Sequence, residues 1–172
     1  MTLRLIPNKA NLLWLEDRES TASKELGEAK RLGCQVQVRA DPREIMGLLE
    51  EELGCDCDPK RLEELRIVFV IDVMIAGLND LSSLGIKHSE THGGLNGGYV
   101  FVDRILRAET SPYRYRPVFF LSDRLLTPDL KEDLQYLCDR TDRDGTRHGR
   151  VEYLRKFDSK ELNRFKLFLE SI

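Results

Sequence analysis

Five short apolar runs, at residues 12–15, 36–38, 67–71, 118–121 and 151–154, recur along the chain, separated by longer segments with apolar residues at spacings of three and four. Strands that alternate with amphipathic helices predict a parallel sheet with helices on its faces, because each parallel crossover must carry the chain back along the sheet. Ile67-Val68-Phe69-Val70-Ile71 and Val118-Phe119-Phe120-Leu121 have no polar alternation, as strands buried on both faces require.

The helical segments follow from their periodicity and caps. Ala22, Leu26 and Ala29 share one face of the first. The second opens with Asp41-Pro42-Arg43-Glu44, a capping Asp followed by a Pro that the first turn tolerates, and continues with an Ile45, Leu48, Leu49 and Leu53 stripe. The third is expected over about 98–109, with Val102, Ile105 and Leu106 inward. The fourth starts at Thr127-Pro128 and carries Leu130, Leu134 and Leu137, and the fifth follows Asp158-Ser159 with Leu162, Phe165, Phe168, Leu169 and Ile172. Strand and helix thus alternate five times in one domain spanning 1–172. Residues 76–97 interrupt the pattern. They are glycine-rich and weakly periodic, and read as an insertion loop between the third strand and third helix, mobile and governing access or partner choice. Their other reading is a short helical turn at 81–84 that serves packing alone.

Composition removes several classes. Apolar residues at 41% and charged residues at 33% describe a globular chain rather than a disordered one. The longest uninterrupted apolar run is Ile67 to Ile71, far from the roughly 20 residues of a membrane helix, and the polar N-terminus is no signal-peptide core, so a cytoplasmic location without membrane is expected. With 27 Lys and Arg against 30 Asp and Glu, no overall basic field favours nucleic acid. Four cysteines are too few for a disulfide framework in 172 residues, which predicts reduced thiols.

In an open parallel sheet the ligand crevice lies beyond the carboxyl ends of the strands. The first strand ends in Glu16-Asp17, the third in Asp72, the fourth in Ser122 and the fifth near Lys156. Each alone has an ordinary explanation: a helix cap, a turn hydroxyl, a solvated lysine. Together they form a pattern. Three carboxylates at one sheet edge repel unless a cation sits among them, and hard oxygen ligands suit Mg²⁺. Asp72, after the most apolar strand, is placed to act as a nucleophile toward phosphorus, with Ser122 and Lys156 holding phosphoryl oxygens.

On these residues the chain resembles the receiver domain of two-component response regulators. The matching stretches are Leu13-Trp14-Leu15-Glu16-Asp17, Val70-Ile71-Asp72-Val73-Met74, Phe120-Leu121-Ser122 and Tyr153-Leu154-Arg155-Lys156-Phe157. The resemblance implies a doubly wound (βα)5 α/β fold, flavodoxin-like, with strand order 2-1-3-4-5. It implies that Asp72 accepts a phosphoryl group from a phosphohistidine on a histidine kinase or phosphotransfer protein, with Mg²⁺ held by Glu16, Asp17, Asp72 and the Met74 carbonyl. Ser122 and Lys156 would contact the phosphoryl group, and Tyr153 would be the switch aromatic coupled to Ser122. Such proteins signal through the fourth helix, fifth strand and fifth helix, here about residues 128–172, to an output protein of unknown identity or as a homodimer. The domain is expected to stand alone and to be a phosphoacceptor rather than an enzyme, beyond self-phosphorylation and autodephosphorylation at Asp72.

Three positions depart from the family pattern. Ala76 stands where Pro is common after the phosphoacceptor, Phe157 stands where Pro is common after the lysine, and the charged Asp123 follows the switch hydroxyl in place of a small residue. They leave room for a pseudo-receiver that binds partners without phosphorylation, and a Mg²⁺-dependent phosphatase on a similar sheet is a third reading. Two further groups carry candidate chemistry. Cys55, Cys57, His88 and His92 have zinc-compatible chemistry, but glycines after His92 argue against the helix that would align the histidines. The glycine-rich run 93–98 lacks the phosphate-loop pattern and reads as a hinge.

Overall fold

The computed structural model describes residues 5–54, 57–75, 81–92, 94–123 and 125–172. Five strands, β1 (Asn11–Leu15), β2 (Gln35–Arg39), β3 (Ile67–Ile71), β4 (Val118–Ser122) and β5 (Val151–Arg155), form one parallel sheet in the order β2-β1-β3-β4-β5. This is the expected flavodoxin-like order. The apolar content of each strand matches its place. β1, β3 and β4 lie inside the sheet and are buried throughout, whereas the edge strands β2 and β5 are half-buried and carry polar residues such as Gln35, Arg39 and Glu152.

Successive residues of the inner strands face opposite sides. Leu12, Trp14, Val68, Val70 and Phe119 enter a core with α1 (Ser23–Arg31) and α6 (Ser159–Ser171), where Trp14 and Phe119 meet Phe165 edge-on at 5.9 and 5.7 Å. Leu13, Leu15, Phe69, Ile71 and Phe120 face the other core, with α2 (Pro42–Leu53), α4 (Gly97–Phe101) and α5 (Pro128–Asp139). Among the described residues no helix is long and apolar enough to cross a membrane.

Three local expectations need correction. A further helix, α3 (Pro59–Glu64), stands between α2 and β3, capped by Asp58 onto the Lys60 amide as Asp41 caps α2. The helix expected over 98–109 begins at Gly97 and passes into a π-turn, Val102–Leu106, where it ends. Gly97 and Gly98 are therefore buried in a helix rather than in a hinge. Of the expected loop at 76–97, residues 76–80 and 93 lie outside the described residues, and 81–92 has structure of its own. Leu81 and Ile86 pair and enter the core, flanking a 3₁₀ turn, Ser82–Leu84, and a second turn spans His88–Thr91. The turn expected at 81–84 is thus present, anchored by apolar residues too sparse to give a period.

At the amino-terminal end of the sheet, the buried Arg107 guanidinium donates to the carbonyls of Tyr113, Arg114, Arg116 and Gly149, tying the entries of β4 and β5 together. Burial, with the charge of Arg140 adding, lowers its pKa to about 10.

Candidate functional site

Register brings the polar strand ends to one edge. Leu15 is level with Ile71, Ile71 with Phe120, and Phe120 with Tyr153. Glu16 and Asp72 therefore leave the sheet side by side, with Ser122 and Lys156 just beyond. Backbone bonds prolong the ladder at this edge: the amides of Asp72, Glu16 and Lys156 donate to Leu15, Arg39 and Ser122, each at 2.9 Å.

Asp72 has partners on both oxygens. Oδ1 accepts from Ser122 Oγ at 2.9 Å and from the Met74 amide at 3.1 Å, and Oδ2 accepts from Lys156 Nζ at 2.6 Å. The same ammonium lies 2.5 Å from Glu16 Oε2 and donates to Thr21 Oγ1 at 3.2 Å. Glu16 Oε1 in turn accepts from the Arg18 amide at 3.1 Å. Glu16, Asp72 and Lys156 are all buried, and Asp17 is half-buried beside them. One carboxylate oxygen from each of Glu16, Asp17 and Asp72 falls within 4.8 Å of the others.

Charge and burial oppose each other here. Burial pushes the Glu16 carboxyl above its ordinary range; the Lys156 hydrogen bond pulls it back and the Asp72 charge adds to the rise. For Lys156, burial acts to lower the pKa, and the bonds and charges of Asp72 and Glu16 outweigh it, so the ammonium is held above its ordinary value. Three carboxylates against one ammonium leave an acidic, oxygen-only donor set, which fits a hard divalent cation. Met74 adjoins the set through its amide.

Tyr153 is half-buried against the core and lines a cavity of about 410 Å³ with Leu125, Leu126 and Lys131. Asp123 is exposed and, with Arg155, Lys156 and Phe157, lines a cavity of about 550 Å³ at the mouth of the site. Phe157 itself is exposed and left-handed, at φ 64°. Ala76 lies outside the described residues. Thr21 joins the site from a 3₁₀ turn, Glu19–Ala22, and no sequence motif marks it. Cys55 also lies outside the described residues. Among the described residues the Glu16, Asp17 and Asp72 group is the one set close enough to share a metal, and Cys57, His88 and His92 form none.

No protein-family model matches the chain, and no curated protein sequence matches it significantly. Solved structures do. A two-component response regulator from Legionella pneumophila is 16% identical, with 95% of this chain and 100% of that one covered, at a TM-score of 0.55. The chemotaxis response regulator CheY4 of Vibrio cholerae is 18% identical over 94% and 98% of the two chains, with a TM-score of 0.55. The receiver domain of the sensor histidine kinase PA1611 from Pseudomonas aeruginosa, whose structure has a magnesium ion coordinated in its active site cleft, is 18% identical over 95% and 99%, with a TM-score of 0.53. At these identities the similarity is one of fold, and the order and direction of all five strands agree with it: the chain has the fold of a response-regulator receiver domain.

Proposed function

We propose that the chain is a response-regulator receiver that takes a phosphoryl group on Asp72 from a phosphohistidine of a histidine kinase or phosphotransfer protein. The observation that carries this is the environment of Asp72: a buried carboxylate oriented by Ser122 Oγ, the Met74 amide and Lys156 Nζ, beside two further carboxylates. A carboxylate oxygen attacks phosphorus, the bond from phosphorus to the imidazole nitrogen breaks with its electron pair going to that nitrogen, and an acyl phosphate results. Lys156 and Ser122, which hold the free carboxylate, are in reach to turn to the phosphoryl oxygens as charge moves onto them. Glu16, Asp17 and Asp72, with the Met74 carbonyl, would hold Mg²⁺, which supplies neutralisation of the phosphoryl charge.

Ser122 moving toward a phosphoryl group would leave room near Tyr153, whose cavity borders α5, β5 and α6. Those elements, about residues 128–172, would then present the phosphorylated state to an output protein or a second copy, through their different interaction energy in the two states.

The test is intact-mass analysis after incubation with acetyl phosphate and Mg²⁺. Wild type should gain one phosphoryl group, Asp72→Asn none, and chelator should prevent the gain. An unmodified wild type, or an Asp72→Asn variant modified equally, would overturn the reading. Beryllofluoride with Mg²⁺ should shift NMR signals near Asp72 and also across residues 128–172, with both effects absent in Asp72→Ala.

A further inference from the structure

Met74 follows the candidate phosphoacceptor at two residues, and its neighbours are both strapped to the far end of the β3–α4 connection. The Ile75 amide donates to Gly94 O at 3.0 Å and the Gly98 amide donates to Val73 O at 3.1 Å. Val73 and Ile75 are fully buried. Gly98, in the first turn of α4, lies so close to Asp72 that a Cβ on it would stand 1.8 Å from Asp72 O and 2.9 Å from Ile71 Cγ2. At Gly97 a Cβ would meet Ile75 Cβ at an ordinary 3.8 Å. Of these two helical glycines, Gly98 alone needs a bare backbone.

The strap is itself held from outside. Gly94 and Asn96 donate their amides to Thr91 O at 3.0 and 3.2 Å, closing the turn on a buried residue. Thr91 ends the turn that begins at His88, whose Glu90 carboxylate accepts from the Lys87 amide at 2.8 Å and pairs with Arg104 in the π-turn. A continuous set of bonded groups runs from the exposed Lys87 and half-buried Glu90 to the backbone on either side of Met74.

We propose that the 94–98 turn is a positioning element for the Asp72 site, that Gly98 is its close-contact residue, and that the turn at His88–Thr91, which holds it, tunes metal affinity through it. This rests on reading Glu16, Asp17 and Asp72 as the metal and phosphoryl site. The turn fixes Val73 and Ile75; these fix the Met74 amide that orients Asp72 Oδ1 and the Met74 carbonyl that would face the cation. Groups that hold a metal's ligands from behind govern its affinity as the ligands do.

Trp14, the single tryptophan, is buried two residues before Glu16 and is the fluorescence probe for the titration, with calorimetry as its check. Mg²⁺ titrations should show binding by Gly98→Ala weakened by about tenfold or more, the range expected when a supporting group is lost. Gly47→Ala, in α2 with open space around the glycine, should bind as wild type does. In ¹⁵N spectra without metal, Gly98→Ala should move the Asp72 and Met74 amides while distant core signals stay in place. Wild-type Mg²⁺ affinity in Gly98→Ala, or unmoved Asp72 and Met74 amides, would overturn the proposal. If wild type itself ignores Mg²⁺, the metal reading fails, and the amide shifts still decide whether Gly98 positions Asp72. Should Gly98→Ala not fold, Arg104→Gln replaces it: faster hydrogen exchange at Ile75 and Gly98 supports the strap, and unchanged exchange overturns it.

Discussion

Asp142 gathers three partners at the end of the molecule opposite Asp72. Its carboxylate accepts from Tyr115 OH and from Arg114 Nε at 3.0 Å, and His148 Nε2 lies 2.9 Å away. Tyr115 first, then His148 and Arg114, hold its pKa down at about 2 against an ordinary 3.8. A carboxyl whose folded value is depressed adds stability that is present above its unfolded pKa and lost as pH falls through the folded one. Urea unfolding of wild type should therefore weaken more steeply between about pH 4 and pH 2 than that of Asp142→Asn. Parallel pH profiles for the two would remove Asp142 from the acid response. Arg107, nearby in the fold, shows the opposite arrangement, a buried charge solvated by four backbone carbonyls.

Helix starts follow local chemistry. Asp41, Thr127 and Asp158 each accept an amide from the first turn of their helix, at Arg43, Leu130 and Lys160. Asp41→Ala should lower unfolding stability by about 1 kcal/mol, measured by denaturant titration at neutral pH, and a change within error would deny the cap that role. Such signals are readable in a sequence because cap and amide are neighbours. The same signature stood at Asp58-Pro59 and would have disclosed α3, a helix too short to show a period of its own. The 81–92 segment was legible only as an interruption, since its order depends on the burial of Leu81 and Ile86 and on the Glu90 to Arg104 pair, fourteen residues apart in the chain. For the site, Glu16, Asp17, Asp72 and Ser122 are legible because burial on both faces marks the inner strands they end or follow, and Lys156 because it ends the run after the weaker edge strand. The bridge from Lys156 to Glu16, and Thr21 beside it, depends on β4 placing β5 within reach of β1's end, a distance that no local pattern encodes.

For the molecule as a whole, the internal ammonium should make the fold independent of metal. A chelator should leave the thermal midpoint of the purified protein where it is, because Lys156 already offsets part of the carboxylate charge. Millimolar Mg²⁺ should raise that midpoint by binding the native state alone, and the rise should shrink in Asp17→Asn. A midpoint unmoved by Mg²⁺, or moved equally in the variant, would sink the assignment of the three carboxylates.

Lys156 has a further consequence during synthesis. Glu16 follows β1, the earliest made of the five sheet strands, and Lys156 follows β5, the latest of the five. A nascent chain that has emerged only through β4 already holds the carboxylates of Glu16, Asp17 and Asp72, with no lysine to set among them. Mutual repulsion then loosens the very edge where β1 and β3 should zip together. The arrival of β5 closes that edge electrostatically as well as sterically, so the fifth strand of the sheet acts as the clasp for β1, and a translation product interrupted before it would be left both unfinished at the sheet edge and avid for stray cations.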